Sequence, residues 1–161
     1  MISFTVYVGS PSGEILAATT TKPDLSGDDV LLRVTASGLC GTDLHFRLAG
    51  IALGHEGVGV VEELGPACTR LRKGDRVGWG YLHGSCDACM NCNGGKGAFC
   101  TMRKTYSTTT LDQGSMATGA IWSEAFLHSL PDSISDRGAA PLMCAGATVF
   151  NALPVPDHRR K

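Results

Sequence analysis

No apolar run in this 161-residue sequence approaches the roughly 20 residues that a membrane-spanning helix needs. The opening MISFTVYVGSPSGE has neither the basic start nor the apolar centre of a secretory signal. A cytoplasmic protein with no membrane partner is therefore expected. An excess of charge of one sign is also missing, since 14 basic and 15 acidic residues nearly cancel. The basic runs Arg103-Lys104 and Arg159-Arg160-Lys161 are too short to track a phosphate backbone, so no nucleic acid is expected as partner. Helical spacing is scarce until the C-terminal end, and no internal repeat is visible, which argues against bundles and solenoids.

What is abundant points elsewhere. Forty-three per cent of the residues are hydrophobic and 18 per cent charged, enough for one domain with its own core. The 21 glycines fall between short apolar runs and imply many tight turns. Alternation marks strands at Ile2 to Val8, Ile15 to Thr20, Val30 to Ser37, Val58 to Leu64, Arg76 to Trp79 and Ile121 to Leu127. Turns are expected at Gly9–Gly13, Gly65-Pro66 and Gly74-Asp75. Near the end, Ser135 can cap a short helix through Ala140, and Leu142 to Leu153 reads as a second helix stopped by Pro154 and Pro156. The expected fold is mainly β, Greek-key or barrel-like, with short helices and loops that carry the chemistry.

Seven cysteines in a reducing compartment are read first as metal chemistry and second as disulfides. In SCDACMNCNGGKGAFC, Cys86, Cys89 and Cys92 are spaced by two residues, and a glycine-rich stretch brings back Cys100. Four thiolates can wrap one zinc ion tetrahedrally, and such closed sites add to folding rather than to catalysis. An iron-sulfur run would have a gap of three before a final Cys-Pro, and that pattern is absent. A disulfide knot would need an oxidising compartment. Cys68, in GPACTR, reads as a neutral turn cysteine.

Three more ligand types end apolar segments: Cys40 in LCGTDLH, His55 in LGHEGVGVVEELG and Cys144 in APLMCAGATVFNAL. Singly each is weak, because a lone cysteine is usually a small hydrophobe and a lone histidine usually a hydrogen-bonded residue. Together, CGTDLH, GHEGVGVVEELG, LRKGDRVG, the four-cysteine loop and AAPLMCAGATVFNAL occur in an order that resembles the catalytic domain of medium-chain, zinc-dependent alcohol dehydrogenases of the cinnamyl and yeast or fungal kind. The resemblance covers about Ile2 to Leu153.

That resemblance implies a GroES-like, partly open β-barrel with a zinc-binding loop, over residues 1–153. It assigns Cys40, His55 and Cys144 to a catalytic zinc, a ligand set the general chemistry of zinc enzymes already names for alcohol dehydrogenase, and it leaves Cys86, Cys89, Cys92 and Cys100 to a structural one. Two zinc ions per chain follow. Glu56 matches a glutamate that can approach the catalytic metal. Thr42 would hydrogen-bond the substrate oxygen and start a proton relay that His45 continues towards solvent. Asp43 would fix the tautomer of the ligating histidine. Thr42 and Asp43 can equally cap a short helix after Cys40, and the two roles coexist. Trp79, Tyr81 and Phe46 are candidates for an apolar pocket or for ordinary packing.

The family reaction interconverts a primary alcohol and an aldehyde with NAD or NADP, held in a Rossmann domain by a glycine-rich turn. No such turn is found here. Gly57-Val58-Gly59-Val60-Val61-Glu62 has Glu62 where a third glycine belongs, and Gly94-Gly95-Lys96-Gly97 fits no phosphate motif. The tail PVPDHRRK, 154–161, diverges from the resemblance. The expectation is a catalytic domain without its Rossmann domain, inactive alone, whose partners are a small-molecule alcohol or aldehyde and either the missing domain or a second copy in a homo-oligomer. A non-catalytic zinc-binding remnant or interaction module is the alternative. Leu142, Val149, Phe150 and Leu153 would then form a bare apolar face.

Overall fold

The computed structural model describes residues 1–153, so the divergent tail 154–161 lies outside the described residues. The chain runs through β1 (Ile2–Val8), β2 (Leu16–Lys22), β3 (Asp29–Ser37), α1 (Gly41–Phe46), β4 (Gly57–Leu64), β5 (Arg76–Trp79) and β6 (Leu82–Gly84). It continues through α2 (Met90–Asn93), β7 (Lys104–Thr105), β8 (Gly119–Ser123), β9 (His128–Ser129), α3 (Asp136–Ala139) and α4 (Ala145–Ala152). Five strands form an antiparallel sheet in the order β8-β3-β4-β5-β9. The β1-β2 hairpin and the β6-β7 ribbon are separate two-stranded sheets. The fold is mainly β and does not close into a full barrel. No helix among the described residues is long and apolar enough to cross a membrane.

Alternation explains the layers. Val30 and Leu32 on β3, Val61 on β4, Val77 and Trp79 on β5, and Ala120 and Trp122 on β8 turn to one side of the sheet, where Leu71 and Leu127 complete the main core. Phe4 and Val6 of β1 make a second cluster with Ala52. The pairing of β3 with β4 slips between Leu31 and Leu32 and again between Val34 and Ala36. Such bulges bend a strand and sharpen its twist.

Two expectations need correction. The strand read through Leu127 stops at Ser123, and Glu124–Phe126 form a 3₁₀ turn. There the Ser123 hydroxyl accepts the Ala125 N–H, while the Glu124 carboxylate turns inward to accept the N–H groups of Thr69, Arg70 and Leu71. Burial would push that carboxyl up, but the three donors outweigh it and hold its pKa below the usual range. The helix read over Leu142 to Leu153 is two pieces: a 3₁₀ segment Ala140–Met143 begun by Pro141, and α4. Cys144 separates them with φ −124° and ψ −73°. Of the two readings given for Trp79, packing holds: it is fully buried with its ring 6.0 Å from that of Trp122.

Trp79 also lies on the backbone beside His55. A Cβ built on Gly57 would stand 2.1 Å from Trp79 Cε2, so no larger residue fits without moving the core. Gly57→Ala is expected to cost about 1–3 kcal/mol by overpacking, read as a thermal midpoint lowered by several degrees. An unchanged midpoint would mean that the indole does not rest on this strand.

Candidate metal centres

The Cys86–Cys100 excursion begins and ends at the β6-β7 ribbon, where Leu82 pairs with Thr105 and Gly84 with Lys104. Two short turns, α2 and a 3₁₀ segment Gly97–Phe99, fold the loop back on itself. Its sulfurs are 3.4 Å apart for Cys89 and Cys92, 3.5 Å for Cys86 and Cys100, and 3.9 Å for Cys86 and Cys92. A tetrahedron of sulfurs each about 2.3 Å from an ion has edges of about 3.8 Å, and these distances bracket that value. All seven cysteines are free thiols, with no disulfide among the described residues. The N–H groups of Ala88 and Cys89 push the Cys86 thiol down to about 6. The Cys92 N–H also favours a Cys89 thiolate, yet the neighbouring thiols of Cys92 and Cys86 drive Cys89 up to about 11. Sulfurs this close cannot all ionise without a cation among them.

The second cluster draws on three parts of the chain. One ligand atom each from Cys40, His55, Glu56 and Cys144 lies within 4.8 Å of the others. Cys40 ends the loop after β3 as the N-cap of α1. His55 and Glu56 immediately precede β4, and Cys144 sits at the break before α4. Asp43 ties the first two together. Its Oδ2 accepts the Cys40 N–H at 2.9 Å, and its Oδ1 accepts the Gly54 N–H at 3.0 Å. Gly54 takes φ +96°, which a larger residue would strain, and a Cβ there would meet Met116 N at 2.4 Å. Asp43 Oδ1 is also 3.3 Å from His55 Nδ1, in an off-line contact. One carboxylate thus caps α1 and faces the histidine.

His55 is 1 per cent exposed, and its Nε2 has no hydrogen-bond partner within the protein. A buried imidazole nitrogen left without a donor or acceptor is costly unless something else binds it, and a metal fits that vacancy of bonding together with the two sulfurs. Burial would push the imidazole down; Asp43 and Cys40 outweigh it and hold it up. The N–H of Thr42 pulls Cys40 down against its own desolvation, whereas burial and the charges of Cys40 and Glu56 push Cys144 up to about 11. Thr42 Oγ1 is 3.9 Å from Cys40 Sγ, and His45 is exposed further along α1.

Residues 26–132, more than half the chain, match the alcohol dehydrogenase GroES-like domain family. The chain belongs to that family. An alcohol dehydrogenase from Geobacillus stearothermophilus is 37 per cent identical over 142 residues, covering 83 per cent of this chain and 42 per cent of the relative. A probable cinnamyl alcohol dehydrogenase from Eucalyptus globulus is 33 per cent identical over 155 residues, with 89 and 44 per cent covered. A solved cinnamyl alcohol dehydrogenase from Sorghum bicolor superposes with TM-score 0.84 at 29 per cent identity, covering 94 per cent of this chain and 47 per cent of that one. The chain spans less than half the length of the curated relatives it matches.

In this GroES-like domain a cleft of about 750 Å³ has one cysteine of each cluster, Cys92 and Cys144, in its lining, together with Tyr81, Phe126 and Met143. Of the aromatic residues read as pocket lining or packing, Tyr81 lines the cleft, while Phe46 packs edge-on against Tyr106 with centroids 5.8 Å apart. Sequence reasoning missed Tyr106, which is 1 per cent exposed and lies against His55. Its position after the last loop cysteine carries no periodic signal. The glycines of Gly57-Val58-Gly59 are strand residues of β4 rather than a phosphate-binding turn.

Proposed function

We propose that this GroES-like domain carries a structural and a catalytic zinc site and supplies the substrate-binding half of an alcohol dehydrogenase, interconverting a primary alcohol and an aldehyde with NAD or NADP. The observation that supports it most is the gathering of Cys40, His55, Glu56 and Cys144 around a buried imidazole whose nitrogens no protein group satisfies. Zinc bound there supplies a Lewis acid for the charge that develops on the substrate oxygen. Cys40, His55 and Cys144 would hold it, with Glu56 able to approach. Asp43 keeps the imidazole turned and basic. The Thr42 hydroxyl, beside Cys40, would hold the substrate oxygen and hand on its proton, and His45 on the same helix would pass it towards solvent. Tyr81, Phe126 and Met143 give the cleft apolar surface that a small alcohol could pack against. Cys86, Cys89, Cys92 and Cys100 form the closed set, whose role is stability. The cofactor would come from a nucleotide-binding domain docked on the exposed face of Leu142, Val149, Phe150 and Leu153.

The test joins this chain to the portion of the Geobacillus alcohol dehydrogenase beyond the matched region and follows alcohol-dependent reduction of NAD and NADP. Turnover that His55→Ala abolishes is expected. A joined chain that folds, holds both zinc ions and stays silent would favour a non-catalytic zinc-binding module.

A further inference from the structure

Both aromatic rings that flank His55 come from the base of the four-cysteine excursion. Tyr81 stands just before β6 and Tyr106 just after β7, and the Tyr106 N–H donates to the Tyr81 carbonyl at 2.9 Å. The Tyr106 ring stacks on the His55 imidazole, with centroids 5.1 Å apart and planes 29° from parallel. The Tyr81 ring meets the same imidazole edge-on at 5.6 Å. The Tyr106 hydroxyl donates at 3.5 Å to Asp43 Oδ1, the oxygen that also accepts from Gly54 and faces His55 Nδ1. Phe46, on α1, closes the other side of Tyr106. Tyr106 is thus in contact with the histidine and with the carboxylate that orients it, and it is fixed by the ribbon that the cysteine knot closes.

Resting on the zinc reading above, we propose that Tyr106 is a positioning residue for the open metal site: its ring sets the plane of the His55 imidazole, its hydroxyl supports Asp43, and the four-cysteine knot acts on the open site through it. A stacked ring limits rotation about the histidine side chain, so Nε2 is held towards Cys40 and Cys144 before an ion arrives. Partners that orient a ligating histidine typically change metal affinity by about 10–100-fold when removed. Most of the effect belongs to the ring, because the hydroxyl contact is long.

The experiment uses the 161-residue chain with zinc and, for spectra, cobalt(II). Tyr106→Leu should weaken zinc at the open site by about 10–100-fold in chelator competition, while the four-cysteine site keeps its ion. It should also shift the visible bands of cobalt at the open site, a change that a loss of general stability would not produce. Tyr106→Phe, which keeps the ring, should restore most of the affinity and the wild-type bands. Equal affinity and identical spectra in wild type and Tyr106→Leu would overturn the proposal, as would parallel loss of both ions in the two variants, which would make the residue merely structural. A wild-type chain that takes up a single ion would instead remove the zinc reading itself, a result distinct from either.

Discussion

Cys100→Ser is expected to empty the four-cysteine site and expose residues 86–100 to protease, whereas Cys68→Ser changes neither. Cys100 is fully buried at the point where the excursion rejoins the ribbon, and its sulfur accepts the Met102 N–H at 3.3 Å in addition to its contact with Cys86. The thiolates of Cys86, Cys89 and Cys92 would then face one another with an incomplete cage. Zinc in small thiolate sites is worth about 10–16 kcal/mol at neutral pH, while a whole domain is stable by only about 5–15 kcal/mol. Losing one of four ligands therefore removes a share comparable with the total. Cys68 packs at the edge of the main core, its thiol near the Asp29 carbonyl and pushed up by burial, and serine there loses only a little apolar contact. Limited proteolysis of the two variants side by side separates the cases. Equal resistance would mean that the loop stands without metal.

The second large effect concerns zinc content. The wild-type chain should hold two ions by elemental analysis, and Cys144→Ser should hold one, with the four-cysteine site unchanged. Cys144 comes from the break before α4, on a segment with a bare outer face, so its delivery to Cys40 and His55 depends on the packing of Ala139 and Ala140 against Val58. Without that thiolate the remaining set is one sulfur, one imidazole and a carboxylate. In a chain completed with its cofactor-binding half, the same substitution should lower turnover by at least about a thousandfold, because the Lewis acid contributes several kcal/mol at the transition state. A wild-type value near one ion per chain would sink the open site, and a Cys144→Ser variant that keeps two would remove Cys144 from it.

Most of the strands were legible because they have a buried face; β2, with only Thr20 buried, was read from the turn before it. Phe4 and Val6, then Val30 and Leu32, alternate with residues that see more solvent, and such a pattern survives any detail of pairing. The cysteine loop and the residues gathered around His55 were legible because their chemistry is unusual and their motif order specific. What could not be read has physical reasons. β6, β7 and β9 have two or three residues each, too short for a period. Glu124 looked like one more strand residue, since nothing local announces that it will collect three N–H groups from residues 69–71. The Cys144 break was hidden inside an apolar run that suits a helix throughout. Tyr106 reaches Asp43 from 63 residues away, a distance over which sequence spacing says nothing.

The base of the cysteine lobe has a consequence for how such a domain can change over generations. The chain leaves the body at Tyr81 and returns at Tyr106, and these two residues are already joined by a backbone hydrogen bond. Everything between them is a detour whose ends meet, and sites of that kind tolerate insertion and deletion because the surrounding strands need not move. The tip, with its exposed Met90 and Phe99, is free to diverge in length and surface. The two tyrosines at the neck are not, since they stand against the histidine. Selection on this lobe should therefore be steep at its root and shallow at its crown.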